Sequence, residues 1–416
     1  MTVSNPRTIR VFVAAWVIQD GSFPRASVGD VADVVVEHHT SDAPSVCDDS
    51  LTAIARPAFG RAPVEYRDGR LRWLHLVYGD GWSSRWSADE STNGPVTLTG
   101  VFSACLDDRG IDDPPHVRGR ITRMHLVHKQ VRPTENGWTG VDGTDRLTEL
   151  DRVPISIDWW PTQATKTGDH LASGILVELD LDDALILPTR FVAGAVATDG
   201  DTVWVMHSSD PVLLRVDTAG SPTITKYVLP LTIEPPTDRW TRRIHAIDGG
   251  CWITSEHDIH RCILDPNGVL SIDRLSTEGG GISTVHDGRL YLVGSSRSFL
   301  RDDRRHRTIR THPDTPRLRV LNETERRIEP IDGPADVQAS RADRATGADG
   351  TQWWVDGTNT LRRIDVDGST TTVDLSDATA IGVVRPTTPD VFTDPANADV
   401  VGPITVDIPR LVRKAE

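Results

Sequence analysis

Four times in its second half the chain repeats one phrase: an Asp-Gly pair, then an aromatic residue inside a short apolar run. The copies run from Asp199-Gly200 to Trp204, Asp248-Gly249 to Trp252, Asp287-Gly288 to Tyr291 and Asp349-Gly350 to Trp353. A second run follows each copy: Leu213 to Asp217, Ile259 to Asp265, Leu318 to Asn322 and Leu361 to Asp365. Asp-Gly and Asn-Gly favour tight hairpins, because both central residues of a type I′ turn need positive φ. Alternation argues for strands: Ile259, Arg261 and Ile263 face one way, His260, Cys262 and Leu264 the other. Each unit holds about four strands in roughly 40–60 residues, the size of a propeller blade.

The expected architecture is therefore all-β: a small β-barrel or sandwich domain over residues 1–182, then a β-propeller over 183–416. Five blades are expected. The last would combine both ends of the propeller segment, with Ala184 to Pro188 as its outer strand and Ala378 to Val384 as its inner one. Asp390 to Thr393 and Ile404 to Ile408 complete that blade. Closure of this kind covers strand edges that would otherwise pair with other chains. In the first part, strands are expected at Thr8 to Ile18, Val31 to Glu37, Leu71 to Tyr78, Val96 to Ala104, His116 to Val127, Pro154 to Asp158 and Gly174 to Leu181. Gly100 and Gly119 mark bends or bulges there. The junction at Asp182-Asp183 has no flexible linker, so the two parts are expected to pack together.

The opening Val11 to Trp16 with Pro24 to Gly29, and the closing Asp158 to Pro161 with Gly174 to Leu179, resemble a family of uncharacterised bacterial domains. That resemblance implies no activity. The second half resembles the streptogramin-lyase and NHL type of propeller, through Ile224 to Pro230 and the aromatic strand after each Asp-Gly. The lyase resemblance implies an eliminase, with a histidine base and a metal that stabilises developing negative charge. This chain departs from it, since His245, His257, His260 and His286 do not match the family's catalytic spacing.

In 416 residues the formal charge is −15, which argues against general nucleic-acid binding. Lysine occurs only at positions 129, 166, 226 and 414, and the arginine-rich, Ala-, Asp- and Val-rich composition reads as GC-rich bacterial coding. The early apolar run Val11 to Ile18 is too short to span a bilayer and has no cleavage site after it. A cytoplasmic setting without membrane contact is expected. Cys47, Cys105, Cys251 and Cys262 form no zinc spacing. A hairpin loop over Ser255 to Asp258 would set Cys251 opposite Cys262.

In a propeller, the loops between second and third strands share a face with the blade-to-blade connections, near the central channel. That geometry selects His207, Asp210, Glu256, His257, Arg297 and Asp356, with Asp258 nearby, and Arg242, Arg243 and His245 from the connections. A His–Glu pair such as His257 and Glu256 has the groups for acid–base chemistry or for holding a divalent metal. The plainer account is that Ser, Asp and Asn in such loops bond their own backbone. Tyr78, Trp82 and Trp86 read as an aromatic loop, a type of segment that often anchors partners. Residues 301–310 carry a basic insertion in the third blade, open to an acidic protein, nucleotide or nucleic acid. No phosphate loop, dinucleotide fingerprint or metalloprotease motif occurs. No metal or cofactor is therefore assigned. The expected function is a binding module for a protein partner. The alternative is a metal-assisted lyase or hydrolase at the polar mouth.

Overall fold

The computed structural model describes residues 7–384, apart from 42–43, 58–62, 66–70, 106–115, 136, 159–160, 163–164, 187–189, 234–241, 256–257, 277–281, 287, 294–296, 304–305, 312–317, 332–341 and 377. The protein is nearly all β. Its two described helices, α1 (Ala15–Gln19) and α2 (Asp183–Ile186), are short. No helix among the described residues is long and apolar enough to cross a membrane.

The first eleven strands form one sheet. They are β1 (Thr8–Ala14), β2 (Val31–Thr40), β3 (Asp49–Pro57), β4 (Val64–Glu65), β5 (Leu71–Gly79) and β6 (Trp82–Ala88). Then come β7 (Gly94–Ala104), β8 (His116–Thr134), β9 (Gly137–Gly140), β10 (Arg146–Glu149) and β11 (His170–Asp180). The pairings close two circuits that share β2 and β7. One runs β8–β11–β1–β7–β2 and back to β8. The other runs β7–β2–β6–β5–β3 and back to β7. Ile9, Val11, Val13, Val36, Phe102, Ile175, Val177 and Leu179 fill one continuous core. In β11, Ile175, Val177 and Leu179 face this core, and Leu176 is buried in a separate cluster with Cys47 and Val127. Two expectations fail. The run from Thr8 turns helical at Ala15, and Pro154 to Asp158 forms no strand, leaving Ile155 at 74% exposure.

The remaining strands among the described residues make four sheets and one separate hairpin. Sheet 1 contains β12 (Ala193–Asp199), β13 (Thr202–His207), β14 (Val212–Asp217) and β15 (Thr223–Val228). Sheet 2 contains β16 (Arg243–Ile247), β17 (Gly250–Thr254), β18 (Ile259–Leu264) and β19 (Leu270–Ser276). Sheet 3 takes β20 (Ile282–His286) and β21 (Arg289–Val293), and resumes after the hairpin β22 (Arg297–Asp303)–β23 (His306–Thr311) with β24 (Leu318–Asn322) and β25 (Arg327–Pro330). Sheet 4 contains β26 (Arg344–Thr346), β27 (Gln352–Val355), β28 (Thr360–Ile364) and β29 (Thr370–Asp374). Sheets 2 and 4 are antiparallel meanders of consecutive strands, as are the four strands named in sheet 1, and sheet 3 is antiparallel but interrupted by the hairpin.

The repeated aromatics explain how these sheets meet. Trp204, Trp252, Tyr291 and Trp353 are all buried. Trp204 of sheet 1 lies in a cluster with Ile244, Cys251 and Ile253 of sheet 2. Trp252 of sheet 2 clusters with Leu290, Leu292 and Leu321 of sheet 3. Trp353 of sheet 4 clusters with Ala193, Val196, Val203 and Val205 of sheet 1. Trp204, Trp252 and Trp353 thus each seal a boundary to another sheet, and for Trp353 that sheet is the first.

The elements expected to form the fifth blade are placed differently where they are described. Sheets 4 and 1 pack directly on each other, and no separate sheet lies between them among the described residues. Ala184 to Ile186 are helical in α2, with Leu185 buried in the same cluster. The strand β30 (Ala380–Val383) is not an inner strand. It runs parallel to β15 at the outer edge of sheet 1, pairing Tyr227 with Gly382. The backbone N–H groups of β15's outer edge are met this way, so the edge is covered without a further sheet. Asp390 to Thr393 and Ile404 to Ile408 lie outside the described residues.

Candidate functional site

The second-to-third-strand turns of sheets 1, 2 and 4 are short, spanning 208–211, 255–258 and 356–359. In sheet 1, His207 ends β13 and is buried, its ring edge-on to Phe191 at 5.1 Å. Its Nδ1 accepts hydrogen bonds from the backbone N–H of Ser209 (3.2 Å) and Asp210 (2.9 Å). Nδ1 therefore carries no proton in this arrangement. Burial lowers the His207 pKa, and that effect outweighs the attraction of Asp210, whose Oδ2 is 3.8 Å from Nε2.

Asp210 is buried. Its Oδ1 accepts from Nη1 of Arg118, on β8 of the first sheet, at 2.6 Å. The residue that sequence geometry assigned to a ligand face instead ties the two halves of the chain together. Arg118 also bonds Asp33 through Nη2 at 3.1 Å. Lys226, buried in β15, has its pKa lowered by burial, with Asp210 opposing the shift.

In sheet 2, His245 is buried, and its Nε2 lies 2.8 Å from Ser283 Oγ, which is 2.7 Å from Thr254 Oγ1. Burial, with a smaller effect from Arg243, brings the His245 pKa down to about 4. Arg243 is half-buried, and burial lowers its pKa against the pull of Asp343. A denser group surrounds Asp258. Ser255 Oγ donates to Asp258 Oδ1, and Asp258 lies 3.6 Å from His260 Nδ1 and 3.9 Å from Arg274 Nε. Arg274 Nε donates to His260 Nε2 at 3.2 Å. Burial raises the Asp258 pKa, but His260, Arg274 and the Ser255 bond outweigh it and hold the carboxyl below its ordinary range. The His260 pKa falls to about 4, chiefly through burial. Arg242 is buried between these groups and bonds the Ser209 and Thr232 carbonyls.

The order of contacts decides the chemistry. Here Asp258 stands between Ser255 and His260, so the imidazole cannot take the serine proton, as nucleophilic catalysis requires. No group of three His, Cys, Asp or Glu side chains among the described residues could hold a metal ion. Glu256 and His257, on which the metal-assisted alternative depends, lie outside the described residues. Arg297 opens β22, and its side chain is likewise not described. In sheet 4, Asp356 accepts from Thr358 Oγ1 and pairs with Arg362 at 3.1 Å. Its hydrogen bonds hold its pKa below the usual range, as in a self-capped turn. Sequence reasoning did not single out Arg274, Ser283 or Arg118 as partners. Arg274 sits opposite His260 on the neighbouring strand β19, whereas Ser283 and Arg118 come from other sheets.

The aromatic segment lies in a hairpin. Tyr78 ends a strand rather than a loop: β5 and β6 form a tight hairpin around Asp80-Gly81, pairing Tyr78 with Ser83 and Gly79 with Trp82. Gly81 has φ +85°, the conformation that the second turn residue needs. Trp82 packs into the core at 4% exposure, edge-on to Phe102 at 5.1 Å. A Cβ on Gly79 would sit 2.1 Å from the Trp82 ring, so glycine there is what admits the indole. Trp86 is half-buried against the same core. Trp82 and Trp86 thus pack on the core of the first sheet.

His38 joins His245 and His260 with a pKa of about 4, lowered by burial and by His39. Unfolded histidine titrates near ~6.5, so as pH falls below that value the unfolded chain takes up these protons first. The stability tied to the neutral rings is complete above about 6.5 and is lost as pH falls through about 4. Each ring adds a slope of up to about 1.4 kcal/mol per pH unit. Urea midpoints measured from pH 7.5 to 4.5 should fall steadily, and His245→Gln should reduce the slope by one proton. A flat profile would contradict the burial account.

No known family profile matches the chain, and no curated protein matches it. Among solved structures, virginiamycin B lyase from Staphylococcus aureus is 15% identical over 61% of this chain and 74% of that one, with a TM-score of 0.21. A streptogramin B lyase is 15% identical over 64% and 92%, with a TM-score of 0.22. PorZ, a surface component of the type-IX secretion system of Porphyromonas gingivalis, is 12% identical over 81% of this chain but only 35% of its own, with a TM-score of 0.20. These neighbours include the propeller lyases that the second half of the sequence resembles. At such identities and TM-scores they carry no argument about chemistry.

Proposed function

We propose that this chain is a two-part cytoplasmic binding protein, with a β-barrel over residues 1–182 and a four-sheet propeller over 183–416 that holds an arginine-rich hairpin out to an acidic protein partner. One observation carries the reading. Where three sheets connect their second and third strands through short turns, sheet 3 spends residues 294–317 on the connection, and among the described residues β22 and β23 pair with each other and with no other strand. Between Arg297 and Thr311 the sequence has six arginines and two aspartates, in a chain of net charge −15. A local positive element on a negative protein favours an acidic partner over nucleic acid, whose phosphates the rest of the surface repels. The polar side chains of the other three turns support the reading from the opposite side. His207, Asp210, Asp258 and Asp356 are all engaged by neighbours within the chain.

The test is a pair of affinity baits of the full-length protein in native-cell lysate, analysed by mass spectrometry. One is wild type and the other carries Arg301→Glu, Arg307→Glu and Arg310→Glu. A stoichiometric acidic partner should be held by the wild type, should leave with the charge-reversed bait, and should wash off as salt rises, because exposed charges are screened within about 8–10 Å at 0.1–0.15 M salt. Equal capture by both baits would overturn the assignment to the hairpin.

A further inference from the structure

Cys251 on β17 and Cys262 on β18 are directly paired in antiparallel register. Directly paired residues project from the same face of a sheet. Both side chains enter the cluster between sheets 1 and 2, beside Trp204, Ile244 and Ile253, and both are fully buried. Both are free thiols. The Cys251 thiol beside it, and burial, push the Cys262 pKa well above its usual range. The other two cysteines belong to the first part of the chain. Cys47 packs with Val127 and Leu176, and Cys105 Sγ accepts from Arg85 Nη2 at 2.7 Å.

The ladder fixes the spacing of the pair. Ser255 N–H donates to the Asp258 carbonyl at 2.9 Å, and Leu264 N–H to the Gly249 carbonyl at 2.9 Å. Hydrogen-bonded pairs alternate with unbonded ones along an antiparallel ladder. The register between these two bonds runs without a shift, so Cys251 and Cys262 form a hydrogen-bonded pair. The Cα atoms of such a pair lie about 5.5 Å apart, inside the span of about 4.4–6.8 Å that a disulfide bridges. Directly opposed Cβ atoms stand about 4.5–5.5 Å apart, whereas a disulfide holds them at about 3.8 Å. The bond can therefore close, but only by drawing the two Cβ atoms together. Strain of that kind makes a disulfide easier to reduce, as in labile rather than structural bonds.

We propose that Cys251 and Cys262 are a redox-modification site, closed into a cross-strand disulfide by a low-molecular-weight disulfide of the glutathione class and reopened by the matching thiol. One cysteine thiolate attacks a sulfur of the small disulfide, and one small thiolate leaves. The second cysteine thiolate attacks the protein sulfur of that mixed disulfide and expels the other small thiolate. The two cysteine protons end on the two small thiols, and two electrons pass from the protein to the small disulfide. Both thiols are enclosed, so the first attack waits on local opening of sheet 2. Once closed, the bond pins the β17–β18 hairpin, whose turn carries Ser255 and Asp258.

Two measurements on the wild-type full-length protein test the site. In the first, the protein is brought to equilibrium at neutral pH, without denaturant, over a series of reduced-to-oxidised glutathione ratios. It is then quenched in acid, alkylated and digested for mass spectrometry. The expected product joins the Cys251 and Cys262 peptides, is lighter by two hydrogen atoms, follows the ratio and vanishes with dithiothreitol. A cross-link at every ratio would mark a permanent staple. Alkylated thiols or glutathione adducts at every ratio would mark a pair that cannot close. Either result overturns the proposal. The second measurement compares amide exchange in the oxidised and reduced forms. Exchange over β17 and β18 should slow on oxidation, since a cross-link restricts the open states. Equal rates would show that the bond pins nothing and would overturn that part of the proposal.

Discussion

Replacing Asp182 with alanine should destabilise the protein by about 3–5 kcal/mol, the cost of leaving one member of a buried ion pair without its partner. Arg7 and Asp182 are 9% and 5% exposed at their side chains. Arg7 Nε donates to Asp182 Oδ1 at 2.7 Å, and the Arg7 backbone N–H reaches Oδ2 at 3.3 Å. The same guanidinium donates through Nη2 to the Leu229 carbonyl at 3.2 Å, just beyond sheet 1. This aspartate thus holds the arginine that joins β1, the end of β11 and sheet 1. Without it a cation stays in a site with little access to water. The double variant Arg7→Met with Asp182→Leu should recover most of the loss, since apolar residues of similar volume often replace a buried pair at little cost. Urea denaturation of the single and double variants measures both effects. A single-variant loss under about 1 kcal/mol would show that water reaches the pair, as at exposed ion pairs.

Trp204→Ala should cost about 3–5 kcal/mol, the range for removing a buried tryptophan. Trp204 is among the largest fully enclosed side chains. It lies in the cluster that joins sheets 1 and 2, beside Met206, Ile244 and Ile253. The cost is large because two twisted sheets cannot close on each other to fill the space without breaking their own hydrogen bonds. The loss should appear in the thermal midpoint and in faster amide exchange on both sheets. Effects confined to sheet 1 would contradict the role given to the repeated aromatic.

The repeat was legible because its physics is local. Asp-Gly turns need positive φ, and Gly200, Gly249, Gly288 and Gly350 all adopt it. The aromatic that follows is large and apolar, and every copy is buried. Register was equally legible in sheet 2, where Thr254 faces Ile259 and Cys251 faces Cys262 as the hairpin length required. The closing elements were not legible. Ala184 to Leu187 is a short apolar run, and such a run is buried as a helix or as a strand, so periodicity cannot choose. The strand β30 finds its place by pairing with β15, some 150 residues earlier in sequence, and no local signal encodes that. Tyr78 to Trp86 held a plain Asp-Gly hairpin signal, which the density of aromatics disguised as a binding loop. At the candidate site, residue types were visible and partners were not. Asp210 could be read as a turn carboxylate, but its Arg118 partner comes from another sheet.

The most direct test of the binding account is hydrogen exchange on the full-length protein, alone and with the partner recovered by the wild-type bait. The account predicts slowed exchange over β22 and β23, residues 297–311, with the turns at 208–211, 255–258 and 356–359 unchanged. Protection centred on those three turns, with the hairpin unaffected, would contradict it and return the function to the polar mouth.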